Sequence, residues 1–124
     1  MVMCNKTRKK ANEVAHMDVI GDVEGADVVL IDDMVDTAGT ITKAADLLKE
    51  KGARSVRALA SHCIMSGPAN ERVDACALEE MIFTDSIPYC GSSAKVKQLS
   101  VAELIANTIR SVQDNESISD QYLI

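Results

Sequence analysis

The chain has 124 residues, 47% hydrophobic and 26% charged, a formal charge of −6 at pH 7 and only 2% aromatic side chains. That length and composition suit one packed domain. The negative balance argues against general attraction to nucleic acid or to an anionic membrane surface, and one Phe with no Trp leaves little on which to stack a base. No apolar run nears the roughly 18 residues of a membrane-spanning helix, and no signal-peptide core follows the basic amino-terminal stretch; a cytoplasmic location is expected. Cys4, Cys63, Cys76 and Cys90 are far apart and form no C-x-x-C pair, so they read as reduced thiols rather than a zinc site or a disulfide framework.

In chain order, Val2 and Met3 begin as if already inside a strand. Residues 5–12 are strongly basic and read as a mobile arm, and residues 16–23 as a short strand entering a turn at Gly25. Val28, Val29, Leu30 and Ile31 form an unbroken run of the kind found in strands buried on both faces. Ile41, Ala44, Ala45 and Leu48 then fall at i, i+3, i+4 and i+7, giving a helix with one apolar face that ends at Gly52. A second strand fits residues 55–60. A loop holds Ser66, Gly67 and Pro68, a helix is expected from Asn70 to about Glu80, and a short strand spans 81–84. Ser100 and Glu103 make an S-x-x-E capping box ahead of a last helix, whose Leu104, Ile105, Ile109 and Val112 form a buried face. This alternation predicts an α/β fold, a parallel sheet flanked by helices, with residues 1–26 as arm and adjoining strand and residues 27–124 as the domain proper.

Chemistry is concentrated in residues 28–40, which read Val-Val-Leu-Ile-Asp-Asp-Met-Val-Asp-Thr-Ala-Gly-Thr. Two carboxylates, Asp32 and Asp33, stand at the carboxyl end of a strand, where open α/β sheets bind ligands. The following loop of Asp36, Thr37, Ala38, Gly39 and Thr40 can gather backbone N–H groups at a helix amino terminus, and Gly39 removes a Cβ from the line of approach. The threonines add hydroxyl donors, so the loop suits a phosphate monoester. Asp32 and Asp33 would repel that phosphate; they suit neutral hydroxyls or a divalent cation. Together these parts describe a phosphorylated sugar diol. Singly, such aspartates are as often solvated turn and cap residues, and it is the whole pattern that favours a site.

The pattern resembles the phosphoribosyl pyrophosphate signature of the type I phosphoribosyltransferase fold, and the flanking residues are similar to those of ribose-phosphate pyrophosphokinases. The flanks are Lys6, Thr7, Arg8 and Asn12 with the stretch 20–23 before the signature, and 61–69, 84–88 and 116–119 after it. The resemblance implies that residues 36–40 hold the 5-phosphate of ribose 5-phosphate and that Asp32, with Asp33, contacts the ribose hydroxyls. It also implies that Lys6 and Arg8 are catalytic, with Arg8 touching the sugar phosphate; they take the first and third places of the family's Lys-Arg-Arg triplet, with Thr7 in the middle. Without the resemblance these cations read as a solvated basic run with Lys9 and Lys10.

The implied reaction moves the β,γ-diphosphoryl group of magnesium-bound ATP to ribose 5-phosphate, giving phosphoribosyl pyrophosphate and AMP. Magnesium is the expected cofactor, with Asp32 and Asp33 as possible contacts, and ribose 5-phosphate and ATP the expected partners. Ser117, Ile118 and Ser119 resemble part of an allosteric phosphate or nucleotide site. His16 and His62 have no neighbour at metal-ligand spacing and receive no role. Family members are longer, have two related α/β domains and commonly form homo-oligomers. No phosphate loop of the G-x-x-x-x-G-K-[ST] type replaces their ATP half here, so the chain reads as their carboxy-terminal portion, incomplete at its amino terminus and inactive by itself. A stand-alone phosphoribosyltransferase and a non-catalytic regulatory subunit are the rival readings; the first lacks an evident base-recognising hood, and intact Lys6, Arg8 and residues 32–40 count against the second.

Overall fold

The computed structural model of the protein describes residues 3–7 and 16–119, with side chains from residue 21 onward. Strands β1 (Met3–Thr7) and β2 (His16–Ile20) pair antiparallel, Met3 opposite Ile20 and Thr7 opposite His16. The main sheet contains β3 (Asp27–Val35), β4 (Ser55–Cys63), β5 (Glu80–Thr84) and β6 (Val96–Leu99), all parallel and in sequential order. Helix α1 (Gly39–Glu50) links β3 to β4, α2 (Ala69–Ala75) links β4 to β5, and α3 (Ala102–Gln113) follows β6. Consecutive right-handed crossovers that advance in one direction place their helices on the same face, and the core lies there.

On that face Val56, Ala58 and Ala60 of β4 alternate inward, as do Met81 and Phe83 of β5, against Ile41, Ala45 and Leu48 of α1 and Val73 of α2. The period-2 burial in β4 and β5 meets the i, i+3, i+4, i+7 stripe predicted for α1. Alanines at 58 and 60 let the helices approach the sheet closely, and the single phenylalanine fills the space beyond them.

The other face of the sheet is uncovered. Ile31 is 81% exposed and Val29 51%, and Leu59 and Leu99 are also exposed. Residues 28–31 are therefore not buried on both faces as expected, because among the described residues no helix packs on that side. The expected buried face of the last helix differs as well: Leu104, Ile105, Ile109 and Val112 of α3 are all exposed. Nor does the Ser100–Glu103 box form. Val101 occupies the N-cap position with no side-chain cap bond, and the Asp85 carboxylate beyond β5 accepts the Val101 N–H at 3.0 Å instead. The Ser100 hydroxyl and that amide together hold the Asp85 carboxyl below its ordinary range.

Two further boundaries move. Helix α2 stops at Ala75, short of Glu80, since Lys95 Nζ takes the Val73 and Cys76 carbonyls, the Asp46 carboxylate takes the Ala77 N–H, and Leu78 turns into the core. Residues 5–7, read as part of the basic arm, belong to β1; residues 8–15 lie outside the described residues. The strand β6 has no counterpart in the sequence reading, and its Val-Lys-Gln-Leu composition explains why. Of the cysteines, Cys63, Cys76 and Cys90 are free, and burial pushes the Cys63 and Cys76 thiols up, away from nucleophilic use.

At the amino end of the sheet, Arg54 Nε donates to Asp27 Oδ1 at 2.8 Å, its Nη2 to Oδ2, and the Ser55 hydroxyl to Oδ1 at 2.6 Å. The Arg54 guanidinium first, then Ser55, holds the Asp27 carboxyl well below the usual carboxylate range. With the folded value depressed, this contribution to stability is complete above the unfolded value of about 3.9 and fades as pH falls towards the folded one. Asp27→Asn is expected to lower the thermal midpoint at neutral pH, with the gap to wild type closing in acid; a gap independent of pH would show that the ion pair contributes nothing. In urea unfolding, Leu48→Ala should cost about 3 kcal/mol, as truncation of a fully buried leucine does, whereas Ile31→Ala should stay within about 0.5 kcal/mol.

Candidate functional site

The carboxyl end of β3 is spliced onto the residues after β4. The Val35 carbonyl accepts the Ile64 and Met65 amides at 3.1 and 3.0 Å, and the Asp36 carbonyl accepts the Ser66 amide at 3.0 Å. The Ser66 hydroxyl also donates to Asp36 Oδ1. Fixed at this point, the chain turns through Thr37 and Ala38 into α1. Ala38 adopts a left-handed backbone, φ 58°, and so does buried Met65 in the facing loop, φ 49°. Non-glycine residues visit this region rarely, and backbone strain of this kind clusters at ligand-binding loops.

The turn encloses a hollow of about 180 Å3, lined by Asp32, Met34, Val35 and residues 36–41. The first intrahelical bond of α1 runs from the Thr42 N–H to the Ala38 carbonyl at 3.1 Å, reinforced by the Thr42 hydroxyl at 2.8 Å. Gly39 and Ile41 thus supply helix-initial donors, and the positive end of the α1 dipole lies against the hollow. A small concave site at a helix amino terminus, with threonines at its rim, is built for an oxyanion.

The strand separates the two acidic neighbours. Asp32, opposite Ala60 in the sheet register, borders the hollow, while Asp33 does not. Each carboxylate accepts the next backbone amide, Asp33 N–H to Asp32 Oδ1 at 2.9 Å and Met34 N–H to Asp33 Oδ1 at 2.8 Å. Asp36 lines the hollow with one oxygen tied to Ser66. Predicted site residues Asp32, Asp36, Thr37, Ala38, Gly39 and Thr40 are therefore brought together, and Asp33 is set apart. Lys6 lies in β1 opposite Met17, with its side chain outside the described residues, as is all of Arg8. Ser117, Ile118 and Ser119 follow α3 in a turn closed by a 3.1 Å bond between the two serine hydroxyls.

Asp32 also borders a second, larger hollow of about 360 Å3 on the open face of the sheet, with Ser61, Thr84 and Ser100 as its polar wall. Thr84 donates to the Ser61 carbonyl at 2.7 Å, and the Ser86 hydroxyl lies 2.9 Å from both Thr84 Oγ1 and His62 Nδ1. Among the described residues no three His, Cys, Asp or Glu side chains group to hold a metal ion. The donor set fits magnesium only as a single contact from Asp32 to an ion carried mainly by ligand phosphates.

Two participants escaped the sequence reading. Ser66 appeared only as a loop residue, and Arg72 of α2 carried no local signal. Its Nη1 donates to the Thr37 carbonyl at 2.8 Å, and a Cβ added to Gly39 would stand 3.2 Å from the same nitrogen. A Cβ at Gly39 would thus crowd Arg72, and the unusual φ falls on Ala38 instead.

The family model described as the phosphoribosyl synthetase-associated domain matches residues 3–123. A ribose-phosphate pyrophosphokinase of Porphyromonas gingivalis is 63% identical over 122 residues, which are 98% of this chain and 39% of that protein. One from Helicobacter hepaticus is 52% identical, over 98% of this chain and 40% of its own length. The crystal structure of phosphoribosylpyrophosphate synthetase from Mycobacterium smegmatis superposes with a TM-score of 0.76 at 42% identity, covering 81% of this chain and 34% of that one. The chain spans about two fifths of the length of the curated relatives it matches.

Proposed function

Because this chain belongs to the phosphoribosyl synthetase-associated domain family, we propose that it is the carboxy-terminal, ribose-5-phosphate-binding portion of a ribose-phosphate pyrophosphokinase. The observation that carries the proposal is the hollow of residues 36–41 with Asp32 on its rim. Its amides and threonine hydroxyls take the 5-phosphate, and Asp32 accepts a hydrogen bond from a ribose hydroxyl. Asp33, outside the hollow, acts through water or not at all. Because Asp32 borders both hollows, a sugar anchored by its phosphate presents its ring hydroxyls where the two meet.

In the complete enzyme the anomeric oxygen of ribose 5-phosphate takes the diphosphoryl group of ATP, and AMP leaves. Such a transfer places charge on phosphoryl oxygens, so positioning and cationic stabilisation supply most of the rate. Lys6 and Arg8 are proposed for that stabilisation, a mobile point charge and a planar fork. Magnesium, when bound with ATP, neutralises phosphate charge. ATP-binding residues are assigned to the part of the relatives that this chain does not span, and a cytoplasmic homo-oligomer is the proposed assembly. No helix among the described residues is long and apolar enough to cross a membrane.

Two calorimetric titrations separate phosphate from sugar. Thr37→Val should weaken both ribose 5-phosphate and inorganic phosphate by roughly ten-fold, the scale of one lost bond to a charged group. Asp32→Ala should weaken ribose 5-phosphate alone. Equal loss of both ligands in Asp32→Ala would sink the assignment of Asp32 to the sugar. Incubated with magnesium and ATP, the 124-residue chain should release no AMP on addition of ribose 5-phosphate; release that depends on the sugar would refute the placement of the ATP site elsewhere.

A further inference from the structure

The sequence of the phosphate turn is inverted relative to what its backbone asks for. The left-handed residue is Ala38, φ 58°, and the glycine sits one place later, where no positive φ occurs. Glycine at 38 and alanine at 39 would suit the local conformation better. Something outside the turn must hold residue 38 in its costly conformation and must also need the missing Cβ at 39. Arg72 meets both conditions: its Nη1 donates to the Thr37 carbonyl at 2.8 Å and occupies the space a Gly39 Cβ would crowd, at 3.2 Å.

We propose that Arg72 is a positioning residue of the phosphate hollow, fixing which way the peptide between Thr37 and Ala38 faces. This deepens the phosphate reading above and rests on it. In a trans peptide the C=O and the following N–H point in opposite directions. Holding the Thr37 carbonyl towards α2 turns the Ala38 N–H away from Arg72, towards the hollow, whose lining includes Ala38 and not Arg72. A flip of this peptide would aim the carbonyl oxygen at the ligand phosphate and return Ala38 to negative φ. The start of α1 would not resist the flip, since both Thr42 bonds go to the Ala38 carbonyl, which belongs to the next peptide. Relief of the left-handed alanine favours the flipped form, and the Arg72 bond opposes it.

Arg72→Met keeps the length of the side chain and removes the donor, and Arg72 is exposed on α2, so the fold should persist. In the ligand-free chain, the strong amide-to-Hα Overhauser effect within residue 38 that marks positive φ should weaken in Arg72→Met and persist in Arg72→Lys. Affinity for ribose 5-phosphate should fall roughly 5- to 30-fold in Arg72→Met, because only the unflipped fraction is competent. Adding Ala38→Gly to Arg72→Met should restore binding to within about three-fold of wild type, as glycine adopts either sign of φ freely. Retention of positive φ at 38 in Arg72→Met overturns the proposal, and so does a loss of affinity that Ala38→Gly leaves uncorrected, which would mean that Arg72 acts through charge or direct contact. Absence of any ribose 5-phosphate binding by the wild-type chain would instead refute the ligand assignment, while the residue 38 signal still decides the role of Arg72.

Discussion

Every part of the candidate site depends on the splice between the ends of β3 and β4, where the Val35 and Asp36 carbonyls receive the amides of Ile64, Met65 and Ser66. A parallel ladder ends when its strands diverge, and the last carbonyls are then left to water. Here the loop after β4 folds back and takes them. Three such bonds are worth about 3 kcal/mol net, comparable with the roughly 2–4 kcal/mol needed to hold Ala38 and Met65 left-handed. The strain of the turn and the bonds that anchor it are of the same size. With terms this close in size, one additional contact such as the Arg72 bond to the Thr37 carbonyl would be enough to shift the balance, as proposed above.

The position of the site was legible in the sequence, and its support was not. An apolar run closing on two aspartates, then small residues and an amphipathic repeat, specifies strand, turn and helix locally, so residues 32 and 36–40 could be read in order. Arg72 lies 35 residues from Thr37 in sequence and looks like any exposed helical cation. Nothing local distinguishes it, because its meaning comes from the packing of α2 beside α1. The same limit applies to Gly39: its missing Cβ reads as clearing the approach of a ligand, and the side chain from another helix that the same Cβ would crowd cannot be seen in the sequence.

Hydrophobic pattern records that a surface needs cover without saying what provides it. Val28, Val29, Leu30 and Ile31 carry the composition of a strand covered twice, and only the even-numbered pair packs against the core. The stripe of Leu104, Ile105, Ile109 and Val112 is a second apolar face without a described partner. The capping-box reading failed for a related reason. Ser100 and Glu103 have the right spacing, but the helix starts one residue later, with Val101 as N-cap, and Asp85, fixed beyond β5, takes both the Val101 amide and the Ser100 hydroxyl.

The charge of the chain, −6, has the same sign as a phosphate ligand, and distance resolves the conflict. At physiological ionic strength exposed charges are screened beyond about 8 Å, so carboxylates elsewhere on the surface matter little to an anion in the turn. The nearby acids decide, and each is partly committed: one oxygen of Asp36 to the Ser66 hydroxyl, one of Asp32 to the Asp33 amide, and Asp33 lies outside the hollow. What remains at the hollow is a set of backbone and hydroxyl donors, with two half-committed carboxylates, Asp32 and Asp36, beside them. On the function proposed above, that combination favours an anion whose attached diol can donate to Asp32. Preference for a sugar phosphate over free phosphate would then come from hydrogen bonds between Asp32 and the ribose hydroxyls, added to what the turn offers any phosphate.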